Sequence, residues 1–376
     1  MPDGYPFQEG GLSDPRQEVS PFLFIEGNLG IPKKALYRTY VDALVIFSSA
    51  KKCVLGDVSP SITLALRELV ASSAVILLAN PAHLTALNAR KRLIQGRHRD
   101  PRRELEYIAA LLSSRNCANQ SVLWHHRQWL LRRIYGLPDD FLQPSSDVEV
   151  SSSTLSQDVI NNEFSIASKA CSIYPRNYFG WSHRHFCIQL VFYVLASAAD
   201  PTYVEELTML LSDEVVFMRR WIEQHISDSS AVHYLTTLLR RLDDAGLMDA
   251  VPFTLPSTPD NAAPTWAKGL SSSVDHAISL VQLYPDHESL WLYLRAGSCQ
   301  GETQTRDMQS LSRSFIYPWA CQSLSPSGYD SRQVTIHAYR FLAWLAFKVS
   351  RSLSYTLTWH RHISSNVPEG GSPYHQ

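Results

Sequence analysis

The residues that could carry chemistry are concentrated in two short stretches of the chain. One stretch runs from Trp124 to Trp129 (WHHRQW) and the other from Asn177 to His185 (NYFGWSHRH). Histidine is a common zinc ligand, but histidines one or two residues apart point to different sides of a helix. The sequence places no cysteine or carboxylate beside them to complete a ligand set, so we predict that this chain holds no metal.

Several enzyme classes lack their signatures in this sequence. The pair Asp243-Asp244 is not followed by the further acid of an Asp-Asp-x-x-Asp magnesium motif, which argues against an isoprenoid synthase. We find no Gly-rich phosphate loop, no serine nucleophile elbow and no Cys-His-Asn constellation. The cysteines form no Cys-x-x-Cys pair, and their spacing is typical of small hydrophobic residues rather than of a zinc knuckle or a disulfide framework.

The elements that must position these residues are helices. Apolar residues recur at steps of three and four over residues 160–174 and 178–195, which places each set on one helix face. No sustained two-residue alternation appears, so strands are not expected. Proline-containing turns divide the chain into short helices that come in pairs. These turns are Asn80-Pro81, Asp100-Pro101, Tyr174-Pro175, Asp200-Pro201 and Tyr284-Pro285.

A pattern repeats in the second helix of each pair. Its anchor residues are Leu87, Trp124, Trp181, Val232 and Trp291. A unit of about 35 residues with loop insertions is typical of an α-solenoid, in which stacked hairpins bury a continuous core.

An arginine follows the anchor by three positions in the first three copies, at Arg90, Arg127 and Arg184. Side chains three apart share a helix face, so the guanidinium can stack on the indole or reach carbonyls of a neighbouring helix. Asn80 and Asn177 precede their helices, where an amide oxygen can accept hydrogen bonds from the first N–H groups. We interpret the Trp, Arg and Asn residues of the repeat as structural.

The helical pattern defines three regions. Residues 1–60 form an N-terminal segment with a first helix. Residues 61–350 form a solenoid of about five helical hairpins, interrupted by Ser- and Pro-rich insert loops at 143–153 and 247–273. Residues 351–376 form a C-terminal tail whose last part is expected to be disordered.

Charge and hydropathy exclude several partners. Lys and Arg total 34 against 35 Asp and Glu, so no net basic charge indicates nucleic-acid binding. The longest apolar stretch, Ala71 to Ala79, is shorter than the roughly 20 residues of a membrane span. Met1 to Ser20 is polar and lacks the apolar core of a signal peptide. We therefore expect a cytoplasmic protein without a membrane span.

The pattern Asn-x-x-x-Trp-x-x-Arg in repeated helical hairpins resembles the repeat of the protein prenyltransferase α-subunit family. The resemblance covers roughly Ser61 to Arg295, most of the chain. The stretches Phe24 to Gly30, Asn80 to Lys91 and His225 to Asp228 resemble one branch of that family, the repeat-containing proteins. The resemblance implies a right-handed α-α superhelix of such repeats.

The resemblance also implies a function. Family α subunits wrap around a β subunit that holds the catalytic zinc and the isoprenoid diphosphate. This branch implies the α-type subunit of a heterodimeric protein geranylgeranyltransferase, inactive alone, with a β subunit of the Rab geranylgeranyltransferase type. Geranylgeranyl diphosphate is then the co-substrate, and the protein substrate carries a C-terminal cysteine, as a SNARE or a small GTPase does. No cofactor is expected in this chain.

The resemblance further identifies positions that face the diphosphate in related enzymes. The family lysine five residues before the second anchor is Asn119 here, and the tyrosine of the first repeat is Leu84. Arg176 and Tyr178 remain as supporting catalytic residues. An alternative function is a non-catalytic helical-repeat scaffold that binds another protein partner, which the replacement of the lysine by Asn119 favours.

Overall fold

The computed structural model of the protein describes residues 23–25, 28–55, 62–137, 155–248, 273–298, 311–321 and 332–348. The chain separates into two compact units, Met1–Ile134 and Tyr135–Gln376. Most of the predicted insert loops and all of the predicted C-terminal tail lie outside the described residues.

The described part of the first unit begins with a two-stranded antiparallel ribbon, followed by helices. In the ribbon, Leu23 pairs with Gly30, and α2 packs against both α1 and α3. The one-turn helix α5 was not predicted from the sequence. The elements are β1 (Leu23–Ile25), β2 (Asn28–Gly30), α1 (Lys33–Leu55), α2 (Ile62–Ala79), α3 (Leu84–Gln95), α4 (Pro101–Leu112), α5 (Arg115–Ala118) and α6 (Ser121–Tyr135).

The second unit continues the same pattern of paired helices. Its helices are α7 (Gln157–Ile173), α8 (Tyr178–Ser197), α9 (Pro201–Gln224), α10 (Ser229–Asp244), α11 (Ser273–Leu283) and α12 (Glu288–Gly297). A π-helical segment (Ser312–Ile316) then leads into α13 (Tyr317–Ala320), and α14 covers residues 332–348. The second helices α8, α10 and α12 pack side by side, and the first helices α7 and α9 contact each other.

In the second unit, this arrangement is a stack of helical hairpins with first helices in one layer and second helices in another. The predicted all-α helical-repeat fold is therefore confirmed. The exception is the ribbon of β1 and β2, since no strand was expected. Three-residue strands are too short to show the two-residue alternation on which strand prediction depends.

The second helices of the hairpins share one register. The anchor lies four positions after the residue that precedes the helix, and all five anchors are only 1% to 4% exposed. The preceding residues are His83, Gln120, Asn177, Asp228 and His287, and the anchors are Leu87, Trp124, Trp181, Val232 and Trp291. This common register explains why the repeat is visible in the sequence, since one position in each copy must fill the core.

Three of these helices begin at side chains that cap them, and two of the caps are Asn177 and Asp228. Asn177 Oδ1 accepts a hydrogen bond from the N–H of Gly180 at 3.0 Å. Asp228 Oδ1 accepts from the N–H groups of Ser230 and Ala231, each at 3.1 Å. These bonds satisfy backbone donors that the first turn of a helix leaves without partners.

The predicted capping role of Asn80 is wrong. His83 caps α3, since its Nδ1 accepts from the N–H of Ala86 at 3.1 Å. Asn80 instead closes the preceding helix, where its N–H donates to the carbonyl oxygen of Ile76 at 2.7 Å. Residues 81 and 82 form a turn between the end of α2 and His83, so Asn80 lies too early in the chain to cap α3.

One helix among the described residues, α2, is long and apolar enough to cross a membrane by length and composition alone. It is longer than the stretch Ala71 to Ala79 identified in the sequence. In the structure Arg90 donates from Nη1 to the carbonyl oxygen of Val70 at 3.0 Å and to Ser73 Oγ at 2.9 Å. A buried guanidinium bound along one side of α2 is typical of a core helix, because a charge facing lipid is costly.

Candidate functional site

The turn between α7 and α8 presents the two predicted catalytic residues to solvent. Arg176 adopts a left-handed backbone conformation with φ of 57° and is exposed. Arg176 lies in the turn before the cap residue Asn177 and is not part of α8. Tyr178 is the first residue of α8 and is 67% exposed. The structure therefore brings Arg176 and Tyr178 to the same helix end.

Close packing of α7 against α8 fixes this helix end. A Cβ atom added at Gly180 would lie 2.9 Å from Cys171 Sγ, so no larger residue fits there without movement. Asn177 is fully buried beside it. The ring of Tyr178 packs edge-on against Phe179, with 5.4 Å between the ring centroids. The exposed phenol of Tyr178 is therefore attached to a closely packed helix end.

The solvent-facing side of α8 carries no charge. Tyr178, Ser182, His185, Gln189 and Phe192 follow one another at steps of four and three, and all are exposed or half-exposed. We call this surface the α8 face. It contains no acidic residue and no lysine, and the one charged side chain of α8, Arg184, is buried.

A polar cluster lies in the middle of the α8 face. His185 and Gln189 are joined by a hydrogen bond of 3.1 Å between His185 Nε2 and Gln189 Nε2. Burial lowers the pKa of His185, and the nearby Arg241 and His233 of α10 lower it further. The imidazole is therefore favoured in its neutral form, so this part of the face also lacks charge near neutral pH.

Arg184 links two hairpins rather than facing a ligand. It donates from Nε and Nη2 to the two carboxylate oxygens of Glu214, at 2.5 and 2.6 Å. Its Nη1 donates to the carbonyl oxygen of Phe164 at 2.8 Å and to Ser168 Oγ at 2.5 Å. Burial alone would lower the pKa of Arg184, but the charge of Glu214 raises it above its ordinary value.

Arg90 forms the matching link in the first unit. Its Nε and Nη2 donate to the two oxygens of Glu104, each at 2.7 Å. Burial would raise the pKa of Glu104, but hydrogen bonds from His126 and Arg90 lower it to about 2. Arg127 is buried too, and its Nη1 donates to the carbonyl oxygen of Leu105 at 2.8 Å.

The anchor tryptophans also bond within the core. Trp124 Nε1 donates to the carbonyl oxygen of Ala118 at 2.8 Å, and Trp291 Nε1 donates to that of Pro285 at 2.7 Å. Trp181 Nε1 donates to Asp228 Oδ2 at 3.2 Å. These indoles are too deeply buried to contact a ligand.

Asn119 and Leu84 occupy the positions where the resemblance implies polar contacts. Asn119 is half-buried at the end of α5, where its N–H donates to the carbonyl oxygen of Cys117. It lies five residues before Trp124, the same register as Arg176 before Trp181. Leu84 is 59% exposed at the start of α3. Neither side chain supplies a cation.

The structure contradicts one argument made against a metal site. Glu163, His183 and Cys187 are all buried, and their ligand atoms lie within 4.8 Å of one another. His183 Nε2 lies 2.9 Å from Glu163 Oε2 and 3.7 Å from Cys187 Sγ. A carboxylate and a cysteine therefore do accompany a histidine. The spacing of His183 and Cys187, one helical turn apart, could have indicated this pair in the sequence.

Hydrogen bonding accounts for this cluster. At the same register of other hairpins, His126 Nε2 lies 3.3 Å from Glu104 Oε1, and Tyr234 donates from its hydroxyl to Glu214 Oε1 at 2.7 Å. In the fourth hairpin Tyr234 occupies the position of the histidine, so the feature that the hairpins share is a bond to a glutamate of the first helix. A recurring bond of this kind fits a structural role.

The fold and the register of the second helices define a class: an all-α protein built from helical-hairpin repeats. Residues 160–191, within α7 and α8, match the family model described as "Protein prenyltransferase alpha subunit repeat". The resemblance seen in the sequence is thereby confirmed.

Matches to whole proteins extend the similarity beyond one repeat. The chain is 25% identical over 305 residues to "Protein prenyltransferase alpha subunit repeat-containing protein 1" of Homo sapiens, covering 74% of this chain and 69% of the relative. It is 26% identical over 298 residues to the protein of the same name from Danio rerio, covering 74% and 64%. It is 25% identical over 304 residues to protein 1-B of Xenopus laevis, covering 73% and 63%.

Proposed function

We propose that this chain is the α-type subunit of a heterodimeric protein geranylgeranyltransferase in the cytoplasm. It scaffolds a β subunit of the Rab geranylgeranyltransferase type, which holds the zinc and the geranylgeranyl diphosphate. It also helps to dock a protein substrate with a C-terminal cysteine, such as a SNARE or a small GTPase. The match to the repeat model and the similarity to the relatives support an α-subunit-like helical-repeat protein.

The uncharged α8 face is the observation that favours a protein partner. Helices on the surface of a protein normally carry charged residues on the side that meets water. The neighbouring α10 does so, with Arg240, Asp243 and Asp244 exposed. Interface cores are poor in charge and rich in aromatic residues, as the α8 face is with Tyr178 and Phe192. A partner that covers this face would bury it without desolvating a charge.

The start of α8 supports a contribution to chemistry. Arg176 is held in a left-handed conformation, which is unfavourable for a residue with a side chain by about 1–2 kcal/mol. Strain of this kind is concentrated at functional sites. A guanidinium and a phenol at the same helix end, from Arg176 and Tyr178, can both donate hydrogen bonds to a diphosphate and stabilise its charge as it leaves.

A non-catalytic scaffold is the second candidate, and Asn119 favours it. The amide of Asn119 carries no charge where the resemblance implies a lysine, and Arg90, Arg127 and Arg184 are committed to the core. In that case the α8 face binds another helical protein, and Arg176 has no part in a reaction.

The test is co-expression with the β subunit of the Rab geranylgeranyltransferase. We expect a one-to-one complex by size-exclusion chromatography, and geranylgeranyl transfer to a protein with a C-terminal cysteine only when both chains are present. Transfer by this chain alone, or the lack of a complex, contradicts the proposal. A complex without transfer supports the scaffold.

A further inference from the structure

The first unit contains a half-open cavity that is independent of the α8 face. Its volume is about 360 Å³, within the range of small-molecule sites. Its walls come from α1, α2 and α3 and from the turn that follows α3. Val54, Leu69 and Leu93 supply apolar surface, and Thr85 and Asn88 supply polar groups.

The ionisable side chains around this cavity are all basic. Lys51 of α1, Arg92 of α3 and His98 beyond α3 line it. No carboxylate is among the lining residues in the part of the chain that the structure describes. The charges of Lys51 and Arg92 face one cavity with no carboxylate among its described lining residues, so they repel each other and favour an anion between them.

The turn after α3 places His98 at the cavity. Arg97 adopts a left-handed conformation with φ of 59°, and the N–H of His98 donates back to the carbonyl oxygen of Leu93 at 2.8 Å. The ring of His98 lies directly over Gly96, because a Cβ atom at Gly96 would be 2.9 Å from His98 Cδ2. The equivalent turn after α10 has Gly246 in the left-handed position.

We propose that this cavity binds a small ligand that bears a phosphate group. Arginine and lysine are suited to phosphate because they donate several charge-assisted hydrogen bonds to its oxygens. The apolar wall of Val54, Leu69 and Leu93 suits an organic group attached to the phosphate. The shared chemistry is the phosphate, whether it is a free ion or an ester.

The test is titration of the full chain with inorganic phosphate and with phenyl phosphate, followed by calorimetry. We expect both to bind at millimolar concentrations or below, and phenyl phosphate to bind more tightly because its ring covers the apolar wall. Equal affinity for the two would assign the site to free phosphate. Failure of both to bind overturns the proposal.

Three variants locate the binding. Arg92→Gln should weaken the affinity about tenfold, the scale of one charge-assisted hydrogen bond. Gly96→Ala changes no charge but displaces the His98 ring, so it should weaken binding by a smaller factor. Arg103→Gln, an exposed arginine of α4, is the matched control and should bind as the wild type does.

An alternative explanation of the basic residues predicts a different result. Arg92 lies in the last turn of α3, where a cation interacts favourably with the helix end. If that is its full role, Arg92→Gln lowers the thermal midpoint and leaves the affinity for phenyl phosphate unchanged. This result overturns the proposal, and the thermal midpoints of all three variants show whether each one is folded.

Discussion

Arg184 of α8 and Glu214 of α9 form a two-pronged ion pair that joins the third hairpin to the fourth. The two bonds measure 2.5 and 2.6 Å, and both side chains are about 2% exposed. Both side chains are too deeply buried for water to replace either partner of the ion pair. The pair therefore fixes the stacking of consecutive hairpins as well as the fold of each one.

Removing Arg184 should be strongly destabilising. Arg184→Ala leaves the carboxylate of Glu214 buried without its counterion, so the free energy of unfolding should fall by about 3–5 kcal/mol. Urea denaturation followed by circular dichroism measures this loss. Arg240→Ala, at an exposed site on α10, is the control and should change the free energy by about 0.5 kcal/mol or less. Equal effects of the two substitutions would refute the structural role of Arg184.

Acid should destabilise the first unit through Glu104. Its pKa is lowered from 4.5 to about 2 in the folded state. A lowered folded-state pKa stabilises the fold above the unfolded value, and that stabilisation is lost as the pH falls from about 4.5 towards 2. The loss should be roughly 2–3 kcal/mol.

The measurement is urea denaturation at a series of pH values across that window, compared with Glu104→Gln. This variant should be less stable near neutral pH and should lose less stability as the pH falls. Glu106→Gln on the exposed side of α4 should keep the wild-type pH dependence. A wild-type profile for Glu104→Gln would contradict the assignment.

A charge placed on the α8 face should prevent assembly with the β subunit. Ser182→Arg projects a guanidinium from the middle of this exposed, uncharged surface, and a partner would have to bury it without a counterion. We expect loss of the complex in size-exclusion chromatography while the isolated chain keeps its thermal midpoint. Met209→Arg is the matched control, since Met209 is 59% exposed on α9. Assembly by both variants would place the interface elsewhere.

Arg176 and Tyr178 should affect rate rather than assembly. The double substitution Arg176→Ala and Tyr178→Phe removes the two donors that we propose for the diphosphate, so the single-turnover rate of transfer should fall by about 10–1000-fold. The amount of complex should stay nearly unchanged, because neither residue fills the core. An unchanged rate in a normal complex would leave this chain with a scaffolding role alone.

Arg176→Gly separates strain from chemistry. Glycine adopts the left-handed conformation without a steric penalty, so this variant should unfold at a higher urea concentration, with a gain of about 0.5–1 kcal/mol. The transfer rate should nevertheless fall. Arg97→Gly, at the other left-handed arginine, should gain similar stability and keep the wild-type rate. Equal rates for both variants would argue against a functional role of Arg176.

The sequence predicted the hairpins and their anchors because each copy repeats the same local requirement. Asp100-Pro101 and Asp200-Pro201 begin helices as predicted, and both aspartates accept a bond from the N–H two residues later. Such signals depend on neighbours in the chain, so a single sequence contains them.

Contacts between distant residues could not be read in the same way. Glu163 precedes His183 by 20 residues, Glu214 precedes Tyr234 by 20, and Glu104 precedes His126 by 22. This spacing is nearly constant, but the sequence alone does not show which residues at that separation are joined. The site at the start of α8 was partly predictable, since the resemblance selects Arg176 and Tyr178. The uncharged α8 face was not, because its exposure depends on how α7, α9 and α10 pack against α8.

The sharing of one glutamate by two hairpins has a consequence for dividing the chain. Glu214 belongs to α9, yet it receives Arg184 from the previous hairpin and Tyr234 from its own. A fragment that stops after α8 therefore leaves the guanidinium of Arg184 without its carboxylate partner, whereas one that continues through α9 retains this counterion. A piece cut between the third and fourth hairpins should therefore end after α9, half a repeat out of step with the pattern in the sequence.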